Sequence, residues 1–143
     1  MILFDSSVII DARDPASPFH AWAKRLIAEA VKEGGEGGAV NTIVVSEASV
    51  RAENREAVTA LLQDLGILLL PLPISAAVPA AKAFAIYLDR LKKDGKKSES
   101  RIPLPDFLIG AHADAEGMKL ATRDPDRVRT YFPKVPLIIP DMD

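Results

Sequence analysis

The chain has 143 residues, 48% of them hydrophobic and 27% charged, which describes one ordinary folded domain and excludes a disordered chain, a fibre or a coiled coil. It contains no cysteine and only two histidines, His20 and His112, so disulfides, thiolate metal sites, a cysteine nucleophile and a histidine cage are all excluded. Any metal must be held mostly by oxygen, and the net charge of -2 lacks the bulk basic excess with which many proteins grip nucleic acid.

Residues 1–143 read as a single domain. Ile2 to Phe4 is a short apolar run ended by Asp5-Ser6-Ser7 and reads as a buried strand that stops at a polar turn. The start, MILFDSSVIID, has no basic segment before its apolar run and does not resemble a signal peptide. From Phe19 to Val31, Phe19, Trp22, Ala23, Leu26, Ile27 and Ala30 recur at helical spacing, and the glycine cluster 34–38 stops that helix. Ala39 to Asn41 reads as a weak strand. A long helical pattern follows over Ser46 to Leu65, closed by Gly66. Ile67 to Leu70 is an apolar strand. Ser75 is placed to cap a helix through Leu91. The uncharged stretch Leu65 to Ala81 is broken by Pro71, Pro73 and Pro79, so no membrane span is expected and the chain reads as soluble and cytoplasmic. A helix over Asp106 to Glu116, a strand at Lys119 to Thr122, a short helix near Arg127 to Tyr131 and a strand at Leu137 to Ile139 complete the order. Strands alternating with helices imply right-handed crossovers and a three-layer α/β/α domain around a mostly parallel sheet.

Four acids stand apart from the solvated remainder, among which Asp11, Asp114 and Glu116 are placed. Asp5 directly follows a strand at its carboxyl end, where open parallel sheets bind ligands, and Asp124 follows the Thr122 strand in the same way. Asp106 begins a helix, and Glu47 falls in the first turn of its own. Alone, each of the last two is readily an N-cap or a dipole contact. In a parallel sheet, however, all four belong to one edge. Carboxylates gathered there repel one another unless protons or cations intervene. Oxygen-only ligands suit Mg²⁺ or Mn²⁺, which can activate water and offset the charge of a leaving oxyanion. Asp126, two residues beyond Asp124, is an alternative fourth acid. Gly110 and Ala113 share the face of Asp106, leaving either room for substrate or tight packing.

In order along the chain, Asp5-Ser6-Ser7-Val8-Ile9-Ile10, Thr42-Ile43-Val44-Val45-Ser46-Glu47, Leu104-Pro105-Asp106-Phe107-Leu108-Ile109-Gly110-Ala111-His112-Ala113 and Leu120-Ala121-Thr122-Arg123-Asp124 resemble the PIN domain family, and within it the VapC toxins of toxin–antitoxin pairs. The resemblance covers nearly the whole chain. It implies a Mg²⁺- or Mn²⁺-dependent endoribonuclease with Asp5, Glu47, Asp106 and Asp124 as acidic ligands and Ser7 and Thr122 as supporting hydroxyls. It also implies an RNA substrate, a cognate antitoxin and a homodimer. Hydrolysis by activated water leaves a 5′-phosphate and a 3′-hydroxyl.

The basic stretch Arg90 to Arg101, which includes Lys96, Lys97 and Arg101, is the one local positive feature large enough to guide a phosphate backbone, against a solvated helix end as the plainer reading. Arg51 and Arg123 are further substrate-contact candidates, with ion pairs to Glu47 and Asp124 as their alternatives. His112 lies away from Asp106 around the helix and reads as structural. Three rival classes stand against this reading. The first, a receiver-like phosphoacceptor domain, would expect paired acids early and its acceptor Asp after a later strand, whereas the Ile67 to Leu70 strand ends in Pro71. A catalytically silent PIN-like binding module would tolerate loss of any one acid. A HAD-like phosphatase needs a second acid two residues after Asp5, where Ser7 stands.

Overall fold

A computed structural model describes residues 1–95 and 103–141. Five parallel strands, β1 (Ile2–Phe4), β2 (Gly38–Asn41), β3 (Leu68–Leu70), β4 (Lys119–Ala121) and β5 (Leu137–Ile138), form one sheet in the order β3-β2-β1-β4-β5. Helices α1 (Ser6–Arg13), α2 (His20–Val31), α3 (Thr42–Val50), α4 (Val58–Asp64), α5 (Ala77–Lys93), α6 (Leu104–Glu116) and α7 (Asp126–Tyr131) connect them. The central strand β1 is wholly buried, and so are Ala39, Val40, Leu120 and Ala121 of its neighbours, because helices cover both faces of a parallel sheet. The three-layer α/β/α class expected from the element order is present.

Five local expectations are corrected. The segment after Asp5 is not a turn but α1, whose β-branched Val8-Ile9-Ile10 mimics a continuing strand. Asp5 takes extended backbone and its Oδ1 accepts from Ser6 N at 2.8 Å, while Val8 and Ile9 are buried, so capping and packing override a weak local helix preference. The single long helix over 46–65 is two helices. Asn41 caps α3 early, with its Oδ1 accepting from Val44 N at 3.0 Å. The helix then stops at Val50, where the Arg55 guanidinium donates to the Val50 carbonyl, and a 3-10 turn at Arg55–Ala57 leads into α4. As a result Glu47 is the sixth residue of α3 rather than a first-turn residue. Helix α6 likewise starts two residues before Asp106, with Pro105 in its first turn, and Ser75 makes no capping bond, since a 3-10 turn at Ile74–Ala76 precedes α5.

Gly117 ends α6 in the left-handed region at φ 63°, and Met118 N donates to the Ala113 carbonyl at 2.9 Å, closing the helix so that β4 can begin. Gly110 is explained by packing rather than by room for substrate. A Cβ built there would lie 2.7 Å from Phe132 Cδ2. Gly110→Ala should therefore destabilise the fold by about 1–3 kcal/mol through overpacking, read as a lower urea midpoint; an unchanged midpoint would mean that the Phe132 ring yields freely.

Candidate active site

The chain runs outward from β1 through β2 to β3, then returns to β4 on the other side of β1. The loops leaving the carboxyl ends of β1 and β4 therefore diverge and open a crevice. Asp5 follows β1, and Thr122 follows β4. Helices α3 and α6 bring Glu47 and Asp106 to the same edge. These side chains, with Ser7, Arg51, Arg123, Asp124, Asp126 and Arg127, line one cavity of about 370 Å³. Every residue selected from the sequence is there, save Lys96, Lys97 and Arg101, which lie outside the described residues. Arg90, Lys92 and Lys93 occupy the last turn of α5.

Asp5 is the best-anchored acid. Its Oδ2 accepts from Thr122 Oγ1 at 2.7 Å and from Ser7 Oγ at 3.2 Å, in addition to the Ser6 N bond on Oδ1. The two hydroxyls thus both donate to the one carboxylate oxygen. Burial nonetheless pushes the Asp5 carboxyl up to about 6, helped by the negative charge of Asp106 and opposed by the donated hydrogen bonds. Thr122 Oγ1 also accepts from Asp124 N at 3.1 Å, tying the Asp124 turn to Asp5. Asp124 itself is largely exposed, as is Asp126 at the start of α7, and both reach the cavity. Glu47 Oε1 accepts from Ser6 Oγ at 2.5 Å, a contact between α3 and α1. Arg51 sits at the carboxyl end of α3, exposed, and no Glu47–Arg51 ion pair forms despite the favourable spacing.

The donor set suits a hard divalent cation. All its ligand candidates are oxygen, and the field of Asp106 on Asp5 marks an excess of negative charge that such an ion relieves. Among the described residues no three metal-ligating side chains are grouped closely enough to hold an ion as they stand. Asp106 Oδ2 instead accepts from Arg127 NH1 at 2.6 Å.

Asp11, expected to be a solvated charge, is instead 2% exposed. Its Oδ1 accepts from Arg123 NH1 at 2.9 Å and from Ser17 Oγ at 3.0 Å, while Oδ2 has no partner. Arg123 also lies 5.7 Å over the Phe19 ring, and its Nε is 3.6 Å from Asp124. The guanidinium therefore belongs chiefly to Asp11 and fastens the loop that carries Asp124 to α1. An acid inside the apolar run Val8-Ile9-Ile10-Asp11-Ala12 was the available signal for this burial. Ser6 and Arg127 were not singled out by any spacing. Arg123→Met leaves a buried carboxylate without its cation and should cost about 1–3 kcal/mol, since the pair is partly open to solvent. Adding Asp11→Asn should restore part of the loss in urea unfolding; a double variant no better than the single would remove this account.

His112 is buried, as its structural reading requires. Its Nδ1 accepts from Asn41 Nδ2 at 3.0 Å, and burial lowers its pKa, so the neutral ring fits this bond.

The model of the PIN domain matches residues 2–133, and the chain belongs to that family. Solved structures similar to it include toxin–antitoxin proteins. They include a toxin–antitoxin complex from Klebsiella pneumoniae (20% identity, 99% of this chain and 98% of that one, TM-score 0.62) and VapBC2 from Rickettsia felis bound to a promoter DNA fragment (17% identity, 99% and 100%, TM-score 0.59). Mycobacterium tuberculosis VapC20, a sarcin–ricin-loop-cleaving toxin, matches at 18% identity over 91% of this chain and 95% of that one, with a TM-score of 0.61. At these identities the likeness is one of fold. Among curated proteins no sequence match was found. Among the described residues no helix is long and apolar enough to cross a membrane.

Proposed function

We propose that this PIN domain protein is a Mg²⁺- or Mn²⁺-dependent endoribonuclease and the toxin of a toxin–antitoxin pair. The observation that carries the reading is the convergence of Asp5, Glu47, Asp106 and Asp124 on one cavity at the switch point of the sheet. Asp5, Asp106 and Asp124 would hold the cation, with Glu47 completing the site or orienting water, and Asp126 stands close enough in sequence to substitute for Asp124. When bound, the ion supplies water activation and charge stabilisation on the leaving oxygen. Ser7 and Thr122 hold Asp5 in one orientation, so that its charge is aimed before ligand arrives. Ser6 does the same for Glu47. Arg51 borders the cavity as a cation for flanking phosphates, Arg123 being engaged with Asp11, and water attack at phosphorus leaves a 5′-phosphate and a 3′-hydroxyl.

An antitoxin partner is supported by a second, apolar cavity of about 280 Å³ bordered by Ile9 and Ala12 of α1, Ile27 of α2 and Val58, Leu61 and Leu62 of α4. A homodimer is supported by Ile74 and Val78, one turn apart and largely exposed beside the start of α5. The test is incubation of a total RNA pool with antitoxin-free protein and Mg²⁺ or Mn²⁺, beside EDTA. Discrete, metal-dependent fragments bearing 5′-phosphates are expected. Intact RNA with both metals, from folded protein, would favour a silent binding module.

A further inference from the structure

The cavity holds a cation of its own. Arg127 NH1 bonds Asp106 Oδ2 at 2.6 Å, and the guanidinium lies 5.3 Å from the Tyr87 ring centre and 5.7 Å from that of Phe107. Phe107 follows Asp106 in α6 and is wholly buried, so the two rings form a fixed bed under the arginine. Arg127 is thereby placed against a carboxylate that the proposed metal also requires. Its positive charge opposes a second cation on Asp106, and among the described residues no three metal-ligating side chains are grouped to hold an ion.

The geometry points to Arg127 as an internal counter-ion that makes metal loading depend on substrate, an inference that rests on the metal-dependent reading above. The ion pair is partly open to water, with 28% of the Arg127 side chain and 41% of the Asp106 side chain exposed, and such pairs exchange cheaply. A phosphodiester entering the cavity offers the guanidinium a planar, bidentate anionic partner. Arg127 then turns on its aromatic bed from Asp106 to the phosphate, and Asp106 becomes available to the metal. Because coupling of two binding events is reciprocal, RNA raises metal affinity and metal raises RNA affinity. The protein without RNA keeps its acids partly neutralised by its own side chain, which limits idle metal loading. This role differs from that of Arg123, whose partner Asp11 is buried and is not a ligand candidate.

The test is Mn²⁺ binding to the full chain, followed by the electron paramagnetic resonance signal of free Mn²⁺, with and without a mixed-sequence 2′-O-methyl RNA oligonucleotide. Arg127→Met should bind Mn²⁺ about tenfold tighter than wild type without RNA. Wild-type affinity should rise about five- to tenfold on adding the oligonucleotide, and the rise should shrink in Arg127→Met. Arg127→Lys keeps the charge and should stay within about threefold of wild type. Unchanged or weaker Mn²⁺ binding by a folded Arg127→Met protein, or tightening by Lys equal to that by Met, overturns the inference while leaving the metal site intact. Wild-type protein that binds no Mn²⁺ sensitive to Asp5→Asn removes the metal-dependent reading itself, and this inference with it.

Discussion

Asp5→Asn is expected to abolish RNA cleavage and at the same time to raise the melting temperature of the metal-free protein. The two effects have one cause. Asp5 is forced to carry charge in a half-buried, desolvated position beside Asp106, which pushes its pKa up to about 6 from the usual 3.8. A carboxyl whose folded pKa is raised binds its proton more tightly in the folded state, so its ionisation lowers stability as pH climbs through the window from 3.8 to about 6. Above that window the full cost applies, at most about 3 kcal/mol from the size of the shift. Asparagine removes the charge and keeps an oxygen for Ser6 N. A gain of about 1–2 kcal/mol, or about 3–8 °C at pH 7.5, should remain after the weaker bonds to Thr122 and Ser7 are counted. At pH 4 the gain should largely vanish. Cleavage should fall by at least about a thousandfold, the scale on which removal of a central charge-bearing group acts. For the wild type, Mn²⁺ affinity should weaken as pH falls below 6, because proton and cation compete for the Asp5 carboxylate. A variant that loses stability at pH 7.5, or that still cleaves, would show that the Asp5 charge is not held in reserve for a cation.

Asn41→Ala should produce the largest stability loss among the polar substitutions. Asn41 is fully buried, and its amide serves two elements at once. Its oxygen accepts from Val44 N and caps α3; its nitrogen donates to His112 Nδ1 on α6. Alanine removes a cap worth about 1 kcal/mol and leaves a buried ring nitrogen unpaired at about 1–3 kcal/mol. A total of about 2–4 kcal/mol should appear as a lower urea midpoint with an unchanged slope. Helices α3 and α6 carry Glu47 and Asp106, so cleavage should fall along with stability even at temperatures where the variant is folded. A variant with normal stability would mean that water replaces the amide without cost.

The acids were legible because their meaning depends on topology rather than on side-chain detail. A strand followed at once by Asp5, and another followed by Thr122-Arg123-Asp124, place those residues on the carboxyl edge of any parallel sheet. Glu47 was legible for the same reason, although its helix begins four residues earlier than the apolar pattern suggested. What moved that boundary was Asn41, a cap hidden at the end of a strand whose partner is seventy-one residues away. The break at Arg51–Asn54 was equally obscured, because apolar spacing continues across it while the hydrogen bonds do not. Asp11 and Arg127 escaped notice because their roles arise from pairs distant in sequence. Asp11 meets Arg123, and Arg127 meets Asp106, only after the sheet has assembled. Periodicity carries the strands and helices; it does not carry the cations that the folded edge recruits.

The central claim is that this edge is a divalent metal centre, and a crystal of the protein soaked in Mn²⁺ tests it most directly. An anomalous difference peak inside the cavity, within bonding distance of Asp5 and lost in Asp5→Asn crystals, is the predicted result. Fully soaked crystals with no peak there, or with a peak only on surface acids away from Asp5, would contradict it.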